Sequence, residues 1–229
     1  ETLVKSFDGG FVIGGLHYYS SSLIKFDSFG TMVWAKKFGA FLNENVNAVI
    51  ATSDSCFVMA GRIEGVQIGY CDFQLTKFNQ SGNLIWSKVV HRLDMQELFS
   101  LAETFDGGFV ACGYEIDNPF ALRLLVTKFD SNGEIEWIKN YSSEFFHCLG
   151  QSIKQTPDSG FVVVGYSDNS IDGNGLLVKL KQNGDVEWVN QYSHSGNIGL
   201  CGRDLVITND GIFSLYAGDG ILSLVKTDF

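Results

Sequence analysis

The sequence predicts an all-β chain, a β-propeller of five four-stranded blades with the last blade incomplete, and three observations predict it. First, one short pattern recurs five times along the 229 residues. A turn leads into Phe11, Phe57, Phe109, Phe161 and Phe213, reading FDGGF, SDSCF, FDGGF, PDSGF and NDGIF. Each Phe is followed by a Lys (Lys25, Lys77, Lys128, Lys179, Lys226), and four copies close on Trp34, Trp86, Trp137 and Trp188, spaced 52, 51 and 51 residues apart. A fixed period of this size marks a repeat architecture. Second, each copy breaks into four strand-like runs at Asp-Gly, Asn-Gly or Ser-Gly turns, whose residues accept the positive φ that tight hairpins need. Third, no stretch places apolar residues at helical spacing for three turns. Four antiparallel strands per copy, repeated, make a propeller blade.

The blades run over about 1–39, 45–90, 97–141, 149–192 and 202–229 of a single domain. The fourth copy is the clearest: QSIKQT, the turn Pro157-Asp158-Ser159-Gly160, FVVVG, a polar loop, LLVKL, the turn Gln182-Asn183-Gly184, then VEWVNQ. Val162–Val164 and Leu124–Val126 are continuous apolar runs, which suit strands covered on both faces by neighbouring blades. Each Trp on a fourth strand is expected to wedge between adjacent sheets, burying roughly 150–250 Å². The repeated Lys reads as a snorkelling or blade-linking residue. The fifth copy stops at Lys226-Thr227-Asp228-Phe229, where the others continue to a turn Gly and a Trp strand. The alternatives are a closed five-bladed ring, which we favour, or a fragment of a larger propeller. The unpaired edge would be a template for a donated strand.

Net charge is −10, which argues against nucleic-acid and anionic-membrane partners, since both reward clustered Lys and Arg. No run of eighteen apolar residues is present to span a membrane as a helix. Residue 1 is Glu, so the chain reads as a processed or excised piece. Cys56 and Cys112 fall in second strands and read as small core residues. Cys71, Cys148 and Cys201 lie near loop ends, and a Cys148–Cys201 bridge between neighbouring blades is one pairing to test.

The runs IKFDSFGTMVW, TKFDSNGEIEW and VKLKQNGDVEW resemble the tryptophan-docking motif of propellers related to pyrroloquinoline-quinone dehydrogenases. Together with DGGFV they are more closely similar to a repeat family of secreted or surface-exposed bacterial proteins. The resemblance spans essentially the whole chain and implies an extracytoplasmic location (extracellular, cell-surface or periplasmic) and a binding or scaffolding role. It carries over neither the quinone nor any catalytic residue, so no cofactor is expected from it.

Function is expected where the copies differ, in the loops after the second and fourth strands. Binding candidates there are His17, Tyr18, Tyr19, Tyr70, Phe120, Phe145, Phe146 and His147; His91 and His194 fall in the same loops. Aromatic, Arg-poor loops suit protein or glycan contacts. Arg203 and Asp204 break the repeat at the innermost strand of the fifth copy and read as a site or, more simply, a mutual ion pair. Asp168, Ser170, Asp172 and Asn174 alternate oxygen-bearing side chains around Gly173 as a calcium loop does, but Lys179 stands where the closing acid belongs. His147 beside Cys148 would point to the opposite face of a strand, which disfavours a catalytic dyad. The expectation is a non-catalytic module binding a protein, or copies of itself, through the variable face. A glycan-binding propeller is one alternative. A five-bladed glycoside hydrolase using Glu1, Glu103 or Asp204 is the other.

Overall fold

A computed structural model describes residues 2–17, 20–38, 45–64, 71–91, 95–117, 121–141, 147–168, 173–193, 199–218 and 220–228. These residues are strand and turn, without helix. The strands are β1 (Thr2–Lys5), β2 (Phe11–His17), β3 (Ser20–Phe26), β4 (Met32–Phe38), β5 (Asn45–Ala51), β6 (Phe57–Glu64), β7 (Cys71–Phe78), β8 (Leu84–Val90), β9 (Met95–Glu103), β10 (Phe109–Asp117), β11 (Ala121–Phe129), β12 (Ile135–Tyr141), β13 (His147–Gln155), β14 (Phe161–Asp168), β15 (Asn174–Leu180), β16 (Val186–Tyr192), β17 (Cys201–Thr208), β18 (Gly211–Gly218) and β19 (Ile221–Thr227). They form meanders in chain order: β1–β4, β5–β8, β9–β12 and β13–β16 as four-stranded sheets, and β17–β19 as a three-stranded one. This is the propeller-type fold, with one sheet per sequence repeat.

The turn chemistry explains the hairpins. In the first copy Gly9 donates to the Ser6 carbonyl (3.0 Å) and Ser6 to the Gly10 carbonyl (2.8 Å), while Gly9 sits at φ +84°. Ser55 and Ser159 hold the same turn position at φ 63° and 66°, in the left-handed region that costs a residue with a Cβ. The turn Asp receives the repeated Lys of its own blade: Lys25–Asp8, Lys77–Asp54 (2.6 Å), Lys179–Asp158 (2.7 Å) and Lys226–Asp210 (2.7 Å). Burial opposes the charge on Asp54, yet the Lys77 ammonium and the Thr52 hydroxyl hold its carboxyl down to about 2. Asp158 is held at about 2 by the same balance of burial against Lys179 and Thr156.

Two compact units make up the chain: Glu1–Phe109 with Phe129–Glu134, and Val110–Lys128 with Ile135–Phe229. Within the first, Val12, Leu23, Val46, Val49, Phe57, Met59 and Phe78 form a core with Trp34 packed on it. Within the second, Val162, Val164, Leu177, Leu205, Ile212 and Tyr216 do the same with Trp188. Val162, Val163 and Val164 are fully buried, as their unbroken apolar run predicts.

The Trp residues are half-buried and seat on the following copy. The Trp86 ring meets Phe109 edge-on at 6.1 Å, and Trp137 meets Phe161 at 5.9 Å. Trp34 donates its indole N–H to the Gln80 carbonyl (3.0 Å). The Lys Nζ of one copy lies over the Phe of the next as well, Lys25 over Phe57 at 5.9 Å and Lys77 over Phe109 at 5.8 Å. It therefore pins its own turn and covers its neighbour at once.

Three expectations are corrected. None of the five cysteines forms a disulfide, so Cys148 and Cys201 are not bridged. Cys56 lies in the turn before β6, half-buried, and only Cys112 is the small core residue foreseen. Finally, the Arg203–Asp204 ion pair is not formed, and the backbone there departs from a regular strand. The β17–β18 register shifts between Gly202 and Asp204, as β5–β6 does between Val46 and Ala48 and β13–β14 between Gly150 and Ser152. Arg203, Asn47 and Gln151 are thus the extra residues of β-bulges, devices that re-aim a side chain at a strand end.

Candidate functional site

Of the residues singled out from sequence, Tyr18, Tyr19, Tyr70, Phe120, Phe145, Phe146, Ser170, Asp172 and His194 lie outside the described residues, as does the side chain of His17. His147 is placed at the start of β13, where its Nδ1 accepts the Leu122 N–H at 3.1 Å. Cys148 is buried; its sulfur accepts from Leu124 N–H (3.3 Å) and donates to the Tyr141 carbonyl (3.2 Å). Arg203 and Asp204 are both exposed and do not pair with each other. Asp204 instead accepts from Ser152 Oγ (2.9 Å) and from the Leu205 N–H (2.8 Å), so the expected mutual ion pair is absent. Asp168 ends β14 opposite His147, while Asn174 opens β15 opposite Ser167. Among the described residues no three His, Cys, Asp or Glu side chains gather as metal ligands.

The structure brings together a different set, at the variable end of the β5–β8 sheet. β7 and β8 pair antiparallel with Phe73 opposite Val90, so the first residues of β7 meet the residue that follows β8. That places Asp72 beside His91, Oδ2 to Nδ1 at 2.6 Å. The Asp72 side chain is 6% exposed and the imidazole 70%. A shielded carboxylate therefore accepts the hydrogen bond of the Nδ1–H, which orients the ring. In the neutral ring that tautomer puts the lone pair on Nε2, the arrangement that makes imidazole a directed base.

A second cluster sits on the opposite face of the same sheet end. Arg62 pairs with Phe73 and Ile63 with Asp72, and successive residues of a strand face opposite ways. Arg62 approaches Glu97 at 3.7 Å. Asn47, the bulge residue of β5, donates to Glu97 Oε1 (2.8 Å) and to the Leu98 carbonyl (2.9 Å). The Arg62 Nε–H is buried and has no acceptor among the described residues; it is a spare donor for a bound oxygen.

None of these four residues follows the repeat. At the offset of Asp72 the other copies carry Ser20, Arg123, Asn174 and Ile221; at that of His91, Gly39, Ser142 and Ser193. Arg62 replaces Leu16, Tyr114, Tyr166 and Ala217, and Glu97 replaces Asn45, Leu149 and Cys201. Four departures converge on one sheet end. The signal was readable at fixed offsets from the repeated residues; reading the variable loops placed His91 among the candidates without joining it to Asp72.

A cavity of about 280 Å³ lies in the second unit, walled by Leu124, Leu176, Val178 and Val189 with Asn140 and Tyr141. Cys148 lies on its wall, engaged as described.

No protein-family model matches the chain, and no curated protein does. Among solved structures the fold matches a gluconolactonase of Xanthomonas campestris with TM-score 0.52 and 10% identity, over 96% of this chain and 69% of that one. A puromycin hydrolase aligns with TM-score 0.49 and 10% identity over 95% of this chain and 33% of that chain. The first comparison corrects the expectation of a non-catalytic, non-enzymatic module. The fold it shares is that of an enzyme, so the fold itself does not argue for a non-catalytic role.

Proposed function

We propose that the chain is a hydrolase that opens the ester bond of a small hydroxyl-rich substrate of the sugar-lactone class, with His91 as general base and Asp72 as the group that holds it. The observation that carries the reading is the pair itself, a shielded carboxylate bonded to an imidazole whose second nitrogen is open. In this reaction Nε2 takes a proton from water as the water oxygen adds to the ester carbonyl carbon. The adduct collapses by breaking the carbon–oxygen bond to the ring oxygen, and the imidazolium returns its proton there. One water is consumed, and a carboxylic acid and an alcohol result. Asp72 retains its hydrogen bond throughout and stabilises the imidazolium.

Support for the substrate class comes from the shared fold with a gluconolactonase. Glycoside hydrolysis belongs to the same hydrolytic class but needs two carboxylates flanking the bond. Glu103 is engaged by the Ser53 N–H (2.8 Å) and hydroxyl (2.7 Å), and Asp204 by Ser152. An imidazole base acting on an acyl centre therefore fits the described residues better. The test is turnover of a panel of γ- and δ-lactones and aryl esters. His91→Gln should lower kcat by about 10²–10⁴-fold with KM little changed, and Asp72→Asn should lower it comparably. An inert wild-type chain across the panel, or full turnover by His91→Gln, would overturn the proposal.

A further inference from the structure

Three internal Trp seats define what covers a blade face in this chain. Each consists of the Phe after the first turn and the Gly of the turn before the fourth strand, both buried under the preceding copy. Phe57, Phe109 and Phe161 are 1%, 0% and 0% exposed. Trp34 lies 3.3 Å from where a Cβ on Gly82 would stand, Trp86 2.8 Å from that of Gly133, and Trp137 3.0 Å from that of Gly184. A Lys two residues beyond the Trp completes two of the seats, reaching the residue after the Gly: Lys88 to Glu134, and Lys139 to Asp185 at 2.7 Å.

The first copy presents the same seat empty. Phe11 is 36% exposed. Gly30, the counterpart of Gly82, Gly133 and Gly184, has nothing within 4 Å of its Cβ position. Phe29 beside it is 91% exposed and Leu3 on the same blade 63%. The Phe and the positive-φ Gly turn are the elements that seat an indole three times elsewhere. We propose that the uncovered face of the β1–β4 sheet is a docking seat for the Trp-bearing outer strand of a further blade of this same repeat. The occupant follows from complementarity: an indole over Gly30 and against Phe11, as Trp86 sits over Gly133 and against Phe109.

The test grafts a copy of residues 147–202, a blade with its own Trp and linker, directly before residue 1 of the full chain. Hydrogen exchange at residues 28–31 should slow by about tenfold or more when the seat is filled, and the melting temperature should rise. Trp→Ala in the grafted blade, or Phe11→Glu in the acceptor, should restore the exchange rates of the parent chain. Unchanged exchange in the graft, or equal protection by its Trp→Ala version, would overturn the proposal. So would concentration-dependent self-association of the ungrafted chain that Phe11→Glu abolishes, since the seat would then belong to a second copy.

Discussion

Replacing the repeated Phe by Ala in two copies separates a covered blade face from an uncovered one, because the substitution is the same and only the surroundings differ. Phe161 is fully buried and has the Trp137 ring edge-on at 5.9 Å. Phe161→Ala removes the apolar burial, the aromatic pair and the support of a closed cavity, and such changes cost about 3–5 kcal/mol. Phe11 keeps 36% of its surface in water and has no ring partner among the described residues. A fully buried Phe contributes about 1.5–3 kcal/mol by area; roughly two thirds of that remains for Phe11, about 1–2 kcal/mol, with no aromatic-pair increment of ~0.5–1.5 kcal/mol to lose. The two variants should therefore differ by about 2 kcal/mol or more. In urea, with m near ~2 kcal/mol/M, Phe161→Ala should lower the midpoint by about 1.5–2.5 M and Phe11→Ala by about 0.5–1 M. Indole fluorescence and far-UV circular dichroism should give coincident transitions before midpoints are compared. Equal losses would mean that something covers the Phe11 ring as fully as Phe161, and would refute the uncovered-face argument.

Two further outcomes follow from the turns. Asp54 and Asp158 titrate near 2 in the folded chain against an ordinary 3.8, so their stabilisation is complete above about pH 4 and is lost as pH falls toward 2. The urea midpoint should drop across that window, and the Asp54→Asn, Asp158→Asn double variant should drop less steeply; an identical slope would remove the Lys–Asp pairs as the cause. Ser159→Gly relieves a left-handed φ of 66° and should raise stability by about 0.5–1 kcal/mol, read as a higher urea midpoint at unchanged m.

The all-β repeat, the hairpin turns and the Trp contacts were legible because each is written five or four times in residues with narrow conformational preferences. The bulges at Asn47, Gln151 and Arg203 were not: a single extra residue leaves no mark on an apolar run, and its effect is a change of register. Repetition also misled at Cys56, where alignment of the copies placed it in the second strand while the turn before Phe57 claims it. The Asp72–His91 pair was hidden for another reason. Asp72 lies in β7, whose every residue is buried, and its partner follows β8 nineteen positions on. Only strand pairing brings them together, and attention to loop aromatics weighted the variable face by composition rather than by which strand ends adjoin.

Repetition offers a physical criterion for sorting polar pairs in this chain. The Lys–Asp turn pair occurs in the first, second, fourth and fifth copies with the same partners, which is what a requirement of the blade itself looks like. Loss of Lys179, whose side chain is 3% exposed, removes its pairs to both Asp158 and Glu187 and should register in stability. The Asp72–His91 pair occurs once, at offsets where other copies do without either residue and still form the same hairpin. Nothing in the blade demands it. The His91 ring is largely in solvent, and surface substitutions away from structural features usually stay within about 0.5 kcal/mol. His91→Gln should thus leave the urea midpoint nearly unmoved while lowering kcat by about 10²–10⁴-fold. A large stability loss in that variant would return the pair to the architecture and leave the proposed base without its evidence.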